Sequence, residues 1–276
     1  MRSHIIVSIL LIGTVIVSGC GSTPVLPDGT YVKSDDTRSR SYLQRISSIN
    51  SNAPQSFKAQ FVVYGNLENK RKFKSIGSCV YSRELEKFKM MFIDSVFRSP
   101  LTTVLQEGKV VKIYLPVEKK LYVDNADKIS LKNYSGVDID YRFISSLAKG
   151  MIPLIDNYTI KQGLQYRKEN KQKESDFFII LENDNLFETV SIKNDIPNKI
   201  LLVNKKTLEK MEFYLENPVS YGDKGSLYYK QIRFLSVKKG VRVNLKFTGI
   251  SHNAKVNARR DFRMNMPRNV STIRIN

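Results

Sequence analysis

The sequence predicts an α+β protein built on an open, strongly curved antiparallel β-sheet (a half-barrel), with helices covering the concave face. Three observations predict it. About a dozen short segments alternate apolar and polar residues with a period of two, the signature of half-buried strands. Turn-forming residues separate those segments by only a few positions, which is too short for parallel crossovers and so requires antiparallel meanders. Two further segments carry apolar residues every three or four positions, as amphipathic helices do. A sheet of that many strands curls, and helices laid across its concave side cover the apolar face.

Along the chain, Thr37–Asn50 is the first helix: Tyr42, Leu43, Ile46 and Ile49 share one face, and Asp35 or Asp36 caps the start. The period then changes to two. Strands are predicted at Phe57–Tyr64, Phe73–Tyr81, Lys87–Ile93, Leu101–Gln106, Lys109–Leu115 and Lys119–Asp124. In the third of these, Phe88, Met90 and Phe92 fall on one face, with Lys87, Lys89 and Met91 on the other. Asp138–Lys149 is the second helix, with Ile139, Phe143 and Leu147 four apart, Asp138 as cap and Gly150 after the last turn. Strands resume at Tyr158–Arg167, Asp176–Leu181, Leu186–Ile192, Ile200–Asn204, Glu209–Glu216, Ser226–Phe234 and Val241–Ile250. In the last, Val241, Val243, Leu245 and Phe247 point one way, opposite Arg242, Asn244 and Lys246. Phe262–Ile275 reads as a closing segment. No Pro/Gly/Ser-rich linker divides the chain internally, so one domain over 37–276 is expected.

Composition narrows the function. The 276 residues carry a formal charge of +19, with lysines dispersed along strands and turns and no dense basic block. An anionic membrane surface fits that pattern better than nucleic acid, which is not expected as a partner. Two cysteines and two histidines cannot supply a His/Cys metal cluster. His252 lies in the polar stretch Ser251–Asn253, without a nucleophile-elbow motif, and reads as an exposed loop residue. Phosphate-binding glycine motifs are absent, and the spacing of Glu84, Glu86, Asp94, Glu107, Asp138 and Asp140 marks no carboxylate pair. The expectation is a protein without catalytic residues, metal or cofactor. Cys79, between small and aromatic residues, reads as a buried strand residue.

The amino terminus sets the compartment. Arg2 gives a positive start, Ile5–Val17 an apolar run too short to anchor across a bilayer, and Val17-Ser18-Gly19-Cys20 closes it. This arrangement resembles the lipobox of bacterial lipoproteins. The resemblance implies removal of residues 1–19 as a signal peptide, thioether attachment of diacylglycerol to Cys20, and acylation (for example by palmitate) of the new amino terminus. Residues 20–36, with Pro24, Pro27 and Gly29, read as a lipidated tether. Gly21 and Ser22 replace the Asp that retains such proteins in the inner membrane of enteric-type bacteria. The expected location is therefore the outer membrane, on its periplasmic face.

Three passages resemble the LolA/LolB-like superfamily of lipoprotein carriers. Met90–Leu101, followed by Gly108–Pro116, is similar to its strand–loop–strand with exposed apolar residues in the loop. Phe143–Leu154 is similar to the family's central helix with its Leu–small–Gly–Pro ending. Leu202–Met211 is similar to a strand–turn–strand around an amide residue and Lys-Thr. Tryptophans common in the carriers are absent here. The resemblance implies a half-closed barrel with helices plugging its mouth around an apolar cavity for acyl chains. It makes Phe88, Met90, Phe92, Val243, Leu245 and Phe247 cavity candidates, and Val96, Phe97 and Arg98 a membrane-contact loop. The expected function is binding acyl chains or lipoprotein cargo and assisting lipoprotein localisation, as a monomer working with membrane lipid and a periplasmic carrier protein. The alternative is a non-enzymatic structural or docking lipoprotein of the cell envelope.

Overall fold

The structure, a computed structural model, describes residues 26, 30–66, 72–130, 138–167, 176–221 and 226–274. Cys20 and the signal segment lie outside the described residues. One 15-stranded sheet accounts for most of the fold. The chain runs β1 (Thr30–Ser34), α1 (Asp36–Ser51), then the meander β2 (Ser56–Asn66), β3 (Lys72–Ser82), β4 (Lys87–Asp94), β5 (Pro100–Glu107), β6 (Val110–Leu115) and β7 (Lys120–Asn125). After α2 (Tyr141–Ala148) comes a second meander: β8 (Thr159–Arg167), β9 (Phe177–Glu182), β10 (Leu186–Lys193), β11 (Ile196–Asn204), β12 (Lys210–Tyr221), β13 (Ser226–Ser236) and β14 (Val241–His252). The short helix α3 (Ala258–Asp261) and β15 (Ser271–Arg274) close the chain.

The two meanders join where β14 pairs with β2, giving the order β1-β8-β9-β10-β11-β12-β13-β14-β2-β3-β4-β5-β6-β7-β15. All neighbours are antiparallel except β15, which runs parallel to β7. This order explains where the helices sit. β7 and β8 are near opposite ends of the sheet, so the segment between them must cross the concave side, and it carries α2 with it. The same holds for α1, which joins the edge strand β1 to the central β2.

Curvature follows from what α2 touches. Phe143 packs against Phe213 of β12 with ring centres 5.0 Å apart, while Lys149, the residue capping the helix, bonds Gln106 of β5 at 2.9 Å. Six inter-strand steps separate β12 from β5, about 29 Å in a flat sheet at about 4.8 Å per step. A helix of eight residues is only about 12 Å long. The sheet therefore wraps around α2.

Inward residues of β9–β13, with Leu43, Ile46 and Ile49 of α1 and Phe143 and Leu147 of α2, form the main core. A second cluster packs Phe57, Ala59, Phe61 and Val63 of β2 against Cys79, Tyr81, Phe88, Met90 and Phe247. A bulge between Phe247 and Gly249 inserts one residue into β14, so that Ile250 still packs on this cluster. Cys79 is buried, which pushes its thiol up to about 12 and leaves it unreactive.

The structure changes three details of the sequence reading. Thr30–Ser34, read as tether, is an edge strand on β8, where Tyr31 packs against Tyr166 and Phe178 at 5.5 and 5.6 Å. Five residues are too few for a period to declare itself, and the free edge of β8 is what orders them. The cap of α2 is Asp140, whose carboxylate accepts from Arg142 N–H at 2.7 Å, while Asp138 instead accepts from the Ser130 hydroxyl. His252 is no loop residue. It ends β14 half-buried and stacked flat on Tyr221 at 3.9 Å, and desolvation lowers its pKa.

Candidate functional site

Between α2 and strands β4–β7 the packing opens into a cavity of about 590 Å³. Its floor is a cross-strand row fixed by register: Met90 pairs with Val104, Val104 with Ile113, and Ile113 with Tyr122. Phe88, Phe92, Thr102 and Leu115 extend that floor, and Tyr141, Ile144, Ser145 and Ala148 of α2 form the roof. Interiors normally pack with few voids larger than a water molecule. An apolar hollow in the size range of ligand pockets, about 300–1,000 Å³, forfeits contacts that an apolar ligand would restore.

Phe88 borders both this cavity and a neighbouring charged compartment of about 420 Å³, where Lys87, Lys109, Arg142 and Lys149 stand with Glu86 and Asp127. The Lys149 ammonium donates to Gln106 Oε1 at 2.9 Å and lies 5.2 Å from the Phe88 ring centre and 5.7 Å from that of Tyr81. Burial lowers its pKa to about 8. A wider, more polar depression of about 780 Å³ lies between α1, α2 and the segment 150–156. That segment is pinned twice: Asn50 exchanges two hydrogen bonds with the Ile152 backbone at 2.7 and 2.8 Å, and Glu188 Oε2 accepts from Ile155 N–H at 2.8 Å.

Of the six cavity candidates, Phe88, Met90 and Phe92 line the 590 Å³ cavity. Val243, Leu245 and Phe247 do not. Their strand lies three places from β4, across β2 and β3, where Phe61 and Phe247 meet edge to face and fill the space. Val104, Ile113, Tyr122, Ile144 and Ala148 were not singled out from sequence. For the strand residues, alternation combined with a Met90–Val104 pairing carries the signal.

The loop after β4 is a built turn. Asp94 Oδ1 accepts from Val96 N–H and Phe97 N–H at 2.8 and 2.7 Å, and Arg98 N–H returns to the Asp94 carbonyl at 3.1 Å. The two backbone donors hold the Asp94 carboxyl below its ordinary pKa. Arg98 sits at φ +57°. Val96 and Phe97 project into solvent, 76% and 82% exposed. Among the described residues no group of His, Cys, Asp and Glu is placed to hold a metal, and no helix is long and apolar enough to cross a membrane.

An open half-barrel closed by helices over an apolar hollow is the LolA/LolB-like fold, and the chain has it. It superimposes on a putative outer membrane lipoprotein-sorting protein domain from Vibrio parahaemolyticus with a TM-score of 0.57 at 12% identity, covering 79% of this chain and 93% of that one. A LolA superfamily protein from Nitrosomonas europaea aligns with a TM-score of 0.53 at 13% identity, over 79% and 94% of the two chains. A DUF1329 family protein from Desulfovibrio piger gives 0.56 at 11%, over 80% and 94%. No family model and no curated protein matches the sequence.

Proposed function

We propose that this is an outer-membrane-anchored lipoprotein that holds acyl chains, free or on lipoprotein cargo, in the cavity under α2 and assists lipoprotein localisation. The observation that carries the reading is the apolar floor Met90–Val104–Ile113–Tyr122 beneath a helix, open rather than filled. Removing chain methylenes from water is the dominant favourable contribution, about 0.8 kcal/mol each. A filled barrel would instead have favoured a docking role. Cys20 supplies the anchor in this reading, and Val96, Phe97 and Arg98 supply a contact with the bilayer from which cargo is taken or to which it is passed. The lipobox-like ending, the charge of +19 and the resemblance of the fold to that of a lipoprotein-sorting domain support it.

The test is mass spectrometry of acyl ligands that stay with the full chain through exchange into lipid-free amphipol medium, compared with Val104→Trp. Val104 is half-buried on the cavity floor, so the indole takes the ligand's place without displacing a packed neighbour. Retained acyl ligand should fall at least fivefold in the variant at unchanged thermal stability. Equal retention, or no acyl ligand on either protein, would overturn the reading.

A further inference from the structure

The register places every second hairpin turn of the sheet on one rim. Ser236 pairs with both Met211 and Val241, Arg242 with Asn66, Ser75 with Asp94, Ile93 with Pro100, and Leu115 with Lys120. The β9–β10, β11–β12, β13–β14, β4–β5 and β6–β7 turns are therefore at the same end, where Leu186 pairs with Asn204; the β9–β10 turn, Asn183-Asp184-Asn185, carries no apolar side chain. Five exposed large apolar side chains of the described residues stand in strand-connecting turns, and all are on this rim: Leu208 and Val237 (each 57% exposed), Val117 (84%), and the Val96–Phe97 pair. The four apolar-tipped turns carry Lys205, Lys206, Lys238, Lys239, Arg98 and Lys119 against Glu118 and the buried Glu209, with Lys205 paired to Glu182 at 2.6 Å and Asp184 in the neighbouring β9–β10 turn. The described turns of the opposite rim are different: Glu84, Glu86 and Asp195 stand there against Arg83 and Lys109, and no large apolar side chain projects from them except Val110 at the start of β6.

Leu208 holds φ +55°, a left-handed conformation that disfavours a side chain with a Cβ, and its side chain is 57% exposed. Glycine fills the equivalent place in the β13–β14 turn, where Gly240 has φ +63°. An apolar residue kept on a strained, solvent-exposed turn beside lysines has the chemistry of an interfacial anchor: the side chain enters the headgroup boundary while the cations meet anionic lipid.

We infer that the four apolar-tipped turns of this rim, and not the β4–β5 loop alone, are a docking surface for an anionic lipid bilayer. It extends the membrane contact assigned to Val96–Arg98 and rests on that reading. Lipid is the occupant because small apolar tips spaced between cations along a curved edge form no continuous apolar patch for a protein partner, yet each tip can enter a fluid surface independently. With the sheet wrapped around the cavity, docking by the rim stands the strands upright on the bilayer and sets the Leu115–Glu118 end of the cavity toward the lipid.

The full-length protein is reconstituted in vesicles of phosphatidylcholine with 30% phosphatidylglycerol, and in pure phosphatidylcholine. A polarity-sensitive fluorophore is attached to a cysteine at position 97, 117, 208 or 237 in turn, or at 84 on the opposite rim. Cys79 is buried and does not compete for label. Quenching by spin-labelled lipid should be at least threefold stronger at all four rim positions than at 84. It should drop in pure phosphatidylcholine and in the Lys206→Glu/Lys238→Glu variant. Leu208→Gly, which relieves the backbone strain, should keep or raise stability yet weaken quenching at 237. Quenching confined to position 97 overturns the rim proposal and leaves the loop contact standing. Quenching at none overturns both.

Discussion

Replacing Glu188 by Gln is expected to change the pH dependence of stability in a way that can be worked from the structure. Glu188 lies on β10 between Leu181 and Leu202 on the neighbouring strands and is fully buried. One carboxyl oxygen accepts from Ile155 N–H, and the other has no partner among the described residues. Desolvation pushes its pKa from the ordinary 4.5 up to about 8, with the Ile155 bond opposing. A folded-state pKa above the unfolded one means that the contribution to stability is full below about 4.5. It is lost as pH rises, because the unfolded chain releases the proton first, and the loss levels off above about 8. Each pH unit in that window costs about 1.4 kcal/mol, so about 3 kcal/mol is lost by pH 7. Gln keeps the acceptor for Ile155 and does not titrate. Its extra unpaired N–H adds a roughly constant cost of about 1–3 kcal/mol. Urea unfolding of both proteins at several pH values from 4.5 to 8 should show wild type losing about 3 kcal/mol relative to the variant by pH 7. Parallel profiles would refute the argument, whatever the offset between them.

Two further outcomes are expected. Gly77→Ala should destabilise the sheet by about 1–3 kcal/mol in urea unfolding, since a Cβ there would lie 2.4 Å from both the Met91 carbonyl oxygen and the Phe61 ring. An unchanged midpoint would show that the ring moves freely. Cys20→Ser should leave an uncleaved precursor or release the protein from the membrane fraction, and normal processing with membrane retention would remove the anchor from the proposed function.

Gly77 also shows why some of this architecture was legible. It pairs with Phe61 on one side and Phe92 on the other, and the two rings meet edge to face at 5.4 Å above the gap it leaves. The alternation of Phe88, Met90 and Phe92 is a local property, dictated by the pleat once the segment is a strand, so the inward face of β4 could be read directly. Helix faces were equally local: Leu43, Ile46 and Ile49 share one side of α1 wherever that helix packs. The same holds for the antiparallel pairing of neighbouring strands, which short turns enforce.

Which strands flank which across a long connection is not local. That β14 closes on β2, that α2 must therefore cross the concave side, and that β1 and β15 add to the edges depend on long-range hydrogen bonding that no single segment encodes. Hence Val243, Leu245 and Phe247 had the right parity for a cavity but sit three strands away from it, in space that Phe61 fills. The same register gathers four sequence-distant, apolar-tipped turns onto one rim. Strand and helix faces are readable from the chain alone, because side-chain period follows backbone geometry. Which of those faces enclose a hollow, and which turns share an edge, depends on the order in which the strands pair, and that order exists only in the folded whole.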